Sequence, residues 1–223
     1  KSLGFDFEIR RTERNKINDL LHLVYELDAY VAVARTSKVY NLSYPKINMD
    51  EAKFIDIKGV RHIFLKTPVP NDFGLSADQN VTFLTGVNMA GKSTLLKSIA
   101  IAVYLAHLGF PVPANEMQTS IFDGLVSTIN ISDSLNEGYS HFYNEVRRVK
   151  DVALKINDSK NMLVIFDELF RGTNVKDAQD ASILIIDSFS KISNCLFLIS
   201  THIVEVAENL SSNPNIKFVF LKT

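Results

Sequence analysis

The chain has 223 residues, 46% of them apolar and 22% charged, enough for one large domain, or one domain with an appendage, with a core of its own. Its formal net charge is −1, from 24 basic and 25 acidic side chains, which excludes a global basic field for attracting nucleic acid. A single cysteine, Cys195, excludes an internal disulfide framework, and no run approaches the roughly 18 apolar residues of a membrane span. With no signal-peptide pattern and a thiol suited to a reducing compartment, the expected location is cytoplasmic, away from membranes.

From about Thr12 to Tyr40, the residues Ile17, Leu20, Leu21, Val24, Leu27, Val31 and Ala34 recur at helical spacing with neither Gly nor Pro between them. The spacing predicts one long helix, either a plain packing helix or an arm leading away from the rest of the chain. Asn41–Asp50 is rich in turn residues and sets a boundary between 1–50 and 51–223. Phe54–Ile57 and His62–Leu65 read as two short strands of a small antiparallel edge, separated by Lys58-Gly-Val-Arg61. A two-proline loop, Thr67–Gly74, follows.

Val81–Leu84 is a short apolar, β-prone run, and Leu95–Ala106 is a good helix former. Between them lies Thr85-Gly-Val-Asn-Met-Ala-Gly-Lys-Ser-Thr94, which fits Gly-x4-Gly-Lys-Ser. Strand, glycine loop and helix together point backbone N–H groups and a helix N-terminus at one anion. The candidate phosphate-binding residues are Gly86, Val87, Asn88, Met89, Ala90, Gly91, Lys92, Ser93 and Thr94. In such a loop the lysine, Lys92, reaches the β- and γ-phosphates of a nucleoside triphosphate, and the Ser93 hydroxyl holds Mg²⁺. Loops entering a nucleotide fold border the base, so Val69 and Asn71 are candidates to line it.

Gly109–Ala114 carries two prolines and stops the helix. Ile121–Ile131 reads as a strand region interrupted by Asp-Gly, and Glu137 to Ile156 as a helix with Phe142, Val146, Val149 and Leu154 on its apolar face. Met162–Phe166 is a continuous hydrophobic strand ending in Asp167-Glu168. After it come a helix at Ala178–Ile192, a strand at Cys195–Ser200, a helix at Ile203–Leu210 and a strand at Ile216–Leu221. Strands alternating with helices of this length predict a parallel sheet with crossovers. The chain stops inside or just after a core strand, as a fragment of a longer protein would.

Two carboxylates at the end of an apolar strand complete a triphosphatase site. Asp167 is the candidate for the Mg²⁺ shell, and Glu168 for orienting or deprotonating the attacking water. Thr201-His202 follows the next strand, so His202 should emerge beside Asp167 at the carboxyl ends of the sheet and reach the γ-phosphate. Ser140, near a predicted helix N-terminus, offers a hydroxyl beside free N–H groups, an arrangement equally suited to a capping turn.

Four segments together resemble the ATPase domain of the MutS family, DNA mismatch-repair proteins of the ABC ATPase superfamily. They are Thr85–Thr94, Asp133-Ser-Leu-Asn-Glu-Gly-Tyr-Ser-His-Phe-Tyr-Asn-Glu145, Asp167-Glu-Leu-Phe-Arg-Gly-Thr173 and Ser200-Thr-His202. Weaker echoes lie at Arg61-His62, Val69-Pro-Asn-Asp72 and Val112-Pro-Ala-Asn115. The resemblance implies an α/β, ABC-type P-loop domain at 51–223, with 1–50 a helical arm from the end of the family's lever region. It implies ATP and Mg²⁺ as ligands, with Lys92, Glu168 and His202 catalytic. Asn88 would report nucleotide state from the phosphate loop, and Asn115 takes the place of the switch-loop glutamine. Ser140 matches the signature serine, which acts in trans on the partner subunit's nucleotide, with Arg171–Thr173 at the subunit interface. The implied partner is a second copy or a paralogue, joined through the ATPase domains, with DNA bound by parts of the parent protein outside this chain. Val87, Ala90 and His141 depart from the family's usual Pro, Gly and Thr, and no mismatch-reading segment is present. Mismatch reading is therefore not carried over. The alternative is a MutS-like paralogue that uses ATP as a conformational switch on DNA junctions or ribosomes. Transport and chromosome-maintenance ATPases fit less well, for want of a Leu-Ser-Gly-Gly-Gln signature and of a long insert between Lys92 and Gly138.

Overall fold

The computed structural model describes residues 4, 7–49, 52–87, 90–129, 141–158, 161–170 and 172–221; at Ile9, Thr12, His141 and Val204 it describes the backbone alone. The chain divides into two compact units, Lys1–Leu42 and Ser43–Thr223.

The first unit is a π-helical stretch, Glu8–Thr12, followed by helix α1, Arg14–Tyr40. Asn41 closes α1 in the left-handed conformation (φ 50°, ψ 50°), a cap that Asn tolerates better than most residues. The extent of α1 matches the sequence pattern. Its apolar stripe does not become a core: α1 buries no residue, Leu20 and Leu27 of the stripe are each more than half exposed, and so is Leu23 beside them.

In the second unit the described strands form two sheets. Strands β1 (Lys46–Asn48), β2 (Phe54–Val60), β3 (Asn71–Ser76) and β5 (Glu116–Ser120) pair in the order β1-β5-β2-β3. The antiparallel edge is real, but its second strand is β3 rather than His62–Leu65, which forms a turn closed by the Leu65 N–H on His62 O (3.2 Å). The reason is local. Gly59, at φ 64°, lies where the β2–β3 register shifts, and pairing resumes once the chain has passed Pro68 and Pro70, which have no N–H to donate. Strand β5 escaped the sequence reading because its burial alternates, with Met117 and Thr119 inside and Glu116 and Gln118 out.

Strands β4 (Val81–Gly86), β6 (Gly124–Thr128), β7 (Met162–Phe166), β8 (Leu196–Ser200) and β9 (Ile216–Leu221) make the parallel sheet, ordered β6-β7-β8-β4-β9. All four pairings are parallel. Helices α2 (Lys92–His107), α3 (His141–Asp158), α4 (Val175–Ser190) and α5 (Val204–Leu210) flank it. The residues expected to start α3 at Glu137 lie outside the described residues.

Period-two alternation divides the sheet between two cores. Leu84, Leu163, Ile165, Leu196 and Leu198 face Leu96 and Ile99 of α2 and Ile55 and Ile57 of β2. On the other face Val81, Phe83, Val164, Phe166, Phe197 and Ile199 meet α3, α4 and α5, with Phe166, Phe189 and Phe197 stacked at 5.9 and 4.7 Å. Strands buried on both faces must be continuously apolar, as Met162–Phe166 is. Among the described residues no helix is long and apolar enough to cross a membrane.

Candidate functional site

The carboxyl ends of three adjacent strands meet here. Leu84 of β4 pairs with Ser200 of β8, and Phe166 of β7 pairs with Ile199 of β8. The register therefore brings the loop after β4, the Asp167-Glu168 turn after β7 and Thr201-His202 after β8 to one edge of the sheet. The Thr201 N–H donates to Leu84 O (3.3 Å), extending the β4–β8 ladder one step past the strand.

Two glycines shape the loop for different reasons. At Gly86 (φ 151°) an added Cβ would lie 2.8 Å from Leu221 O, so β9 forbids a side chain there. Among the described residues nothing lies within 4 Å of a Cβ at Gly91 (φ 89°); it is needed for its left-handed backbone. Gly91 is also the N-cap of α2 and makes no side-chain cap; the first hydrogen bond of the helix is Leu95 N–H to Gly91 O (2.9 Å). The N–H groups of Lys92, Ser93 and Thr94 come before that bond, where the helix is most receptive to an anion. Lys92 is buried, and its ammonium donates to Gly86 O (2.7 Å) and Val87 O (3.4 Å). Two loop carbonyls thus hold the charge at the mouth of the loop, and the Ala90 N–H donates to Val87 O (3.2 Å). Val87 is exposed, whereas Ser93 and Thr94 are half-buried. Asn88 and Met89 lie outside the described residues, as do Ser140 and Arg171.

The acidic turn is tied to β8 by one residue. The Ser200 hydroxyl donates to Asp167 Oδ1 (2.7 Å) and accepts from the Glu168 N–H (2.9 Å), while Ser200 O accepts from the Leu169 N–H (3.2 Å). Glu168 and Phe170 both hold positive φ, 56° and 60°, without being glycine. Such backbone costs about 1–3 kcal/mol per residue and persists only where neighbours enforce it. Here they do: Ser200 fastens 167–169, and Leu169 and Phe170 are buried in the core, Phe170 against Phe142 (5.6 Å). Beyond this turn, Glu145 Oε2 of α3 accepts from the Gly172 N–H (3.1 Å). His202 is exposed, next to the fully buried Thr201, whose hydroxyl accepts from the Ile203 N–H (3.1 Å).

The remaining candidates lie on the small sheet's side. The Asn71 side chain donates to Val69 O (3.0 Å), and Val69 itself is exposed. Asn71 also borders an internal space of about 80 Å³ shared with Leu84, Leu95, Lys217 and Leu221. Asn115 accepts from Arg61 Nη1 (3.3 Å), and its N–H donates to Lys58 O (2.8 Å). It packs so closely on Gly59 that a Cβ there would collide with it.

The donor set suits a hard cation that keeps most of its water. Among the described residues no three His, Cys, Asp or Glu side chains cluster as a cage, but one hydroxyl and one carboxylate with substrate phosphates are the usual protein share of a Mg²⁺ site. Ser93, in the first turn of α2, and Asp167, whose Oδ1 is taken by Ser200, are residue types that fit that share. Sequence reasoning missed Ser200 as more than a part of a motif; a hydroxyl at the end of a buried strand, one strand over from the acids, was the available signal.

The model of MutS domain V matches residues 82–223. The chain is 35% identical over 192 residues to the DNA mismatch repair protein MSH3 of Vanderwaltozyma polyspora, covering 83% of this chain and 18% of that one. It is 33% identical over 196 residues to the DNA mismatch repair protein MutS of Petrotoga mobilis, with 86% and 24% covered, and 32% identical over 220 residues to that of Clostridioides difficile, with 93% and 23% covered. The matched stretch is thus about a fifth to a quarter of the length of these relatives. The match to MutS domain V over residues 82–223, more than half of the chain, together with these relatives at 32–35% identity, makes this chain a member of the MutS family.

Proposed function

We propose that the second unit is the ATPase domain of a MutS-type DNA mismatch repair protein, of the ABC-type P-loop class, and that it hydrolyses ATP to ADP and phosphate. The observation that carries this reading is the β4–Gly86–Gly91–α2 turn, with its helix start free of a side-chain cap and its buried Lys92, beside the Asp167-Glu168 turn. Residues 86–94 would cradle the phosphates through backbone N–H groups, and Lys92 would exchange the carbonyls of Gly86 and Val87 for phosphate oxygens. Ser93 and Asp167 would hold Mg²⁺, which when bound neutralises charge on the phosphate oxygens. Glu168 would orient the attacking water and take its proton, and His202 would hydrogen-bond the γ-phosphate. Catalysis on this account is mostly positioning and charge stabilisation.

Residues 51–223 would form the ATPase domain and 1–50 the end of a lever. Val69 and Asn71 would border adenine, Asn88 would help report nucleotide state, and Asn115, in the place of the switch-loop glutamine, would touch the metal and water. Ser140 would act in trans, so two copies, or this chain's parent and a paralogue, would share two nucleotides across their ATPase domains. The relatives named above support DNA as the parent protein's target, engaged through segments beyond this chain.

Calorimetric titration with ATP tests the reading. Saturable binding with Mg²⁺, weakened about 100-fold in Lys92→Ala by the loss of charge-assisted bonds worth about 1.5–3 kcal/mol, is expected. Equal binding by the variant would overturn it.

A further inference from the structure

We infer that Ser200 is a positioning residue for both acids of the site, an inference that rests on the ATPase reading. Ser200 bonds three successive positions of the acidic turn: the hydroxyl donates to the Asp167 carboxylate (2.7 Å), the same oxygen accepts from the Glu168 N–H (2.9 Å), and the carbonyl accepts from the Leu169 N–H (3.2 Å). Ser200 is fully buried, so water does not compete for these bonds.

The chemistry follows from the proton count. A serine hydroxyl has one proton and two lone pairs. The proton goes to Asp167 Oδ1, which fixes the carboxylate plane and leaves Oδ2 as the oxygen free to turn to a cation. One lone pair goes to the Glu168 N–H, which helps hold that residue at φ 56° and so sets the direction in which its carboxylate leaves the turn. The first bond should govern metal affinity and the second the geometry of Glu168. Because Ser200 also pairs with Leu84, two residues before Gly86, the glycine loop and the acidic turn share one anchor.

The test uses Ser200→Ala, which removes the hydroxyl and keeps the strand carbonyl. In nucleotide-free protein, amide exchange at Glu168 should quicken at least tenfold, with the amides of Phe197 and Leu198 unchanged. In a second measurement, Mg²⁺ is titrated into protein with a fluorescent N-methylanthraniloyl ATP. The half-saturating Mg²⁺ should rise at least tenfold, the usual loss when an outer-shell partner of a metal ligand is removed. Unchanged exchange at Glu168, an unchanged Mg²⁺ midpoint, or a uniform loss of protection along β8 would overturn the inference. If wild type shows no Mg²⁺-dependent binding, the ATPase reading fails and the functional inference with it, while the exchange result still reports whether Ser200 holds the turn.

Discussion

Helices α1 and α2 are both long, both free of internal Gly and Pro, and both carry apolar residues at helical spacing. They end up as opposites. Helix α2 buries eight residues, among them Leu96, Ile99 and Ala102, against two sheets, whereas α1 buries none. Periodicity states which face a helix can offer; only a surface within the same fold decides whether that face is covered. Helix α2 is fixed by its neighbours, with the glycine loop at its start and β4 before it. Helix α1 leaves its stripe exposed.

The contrast breaks most sharply in the core. Phe197→Ala, deep in the Phe166–Phe189–Phe197 stack, should cost about 3–5 kcal/mol, and Ile99→Ala in α2 about 2–5 kcal/mol, both read by urea unfolding of the second unit. Gly86→Ala, which sets a Cβ 2.8 Å from Leu221 O, should cost about 1–3 kcal/mol and lower the midpoint in the same assay. Leu23→Ala in α1 should stay within about 0.5 kcal/mol, since the side chain is already half in water. A large loss at Leu23 would mean that α1 is packed after all.

Cys195 gives the smallest effect. Burial pushes its thiol up, with Asp123 adding to the shift. A group whose folded pKa is raised contributes stability that is complete below its unfolded value, about 8.5 for a thiol, and lost as pH rises through the folded value. The native protein should therefore react slowly with a thiol reagent at pH 8, and Cys195→Ala should flatten the decline in stability above about pH 9. Fast labelling of native protein would contradict the burial.

The same contrast explains what could be read from the residues alone. Strands such as Met162–Phe166 were legible because burial on both faces demands an unbroken apolar run. The glycine loop was legible because Gly91 and Lys92 answer to backbone conformation and charge at fixed spacing. Strand β3 was not, since prolines precede it and only Phe73 and Leu75 are buried; nor was β5, whose buried positions alternate with Glu116 and Gln118. The role of Ser200 depends on the register of β7 against β8, a long-range pairing that no local pattern encodes.

ATP turnover with Mg²⁺, measured against protein concentration with Glu168→Gln as the blank, is the most direct test of the whole account. Specific activity should rise with concentration, as two copies complete each other's sites, and fall about 10²–10⁴-fold in the variant as the general base is lost. Turnover equal in wild type and Glu168→Gln, and flat with concentration, would contradict it.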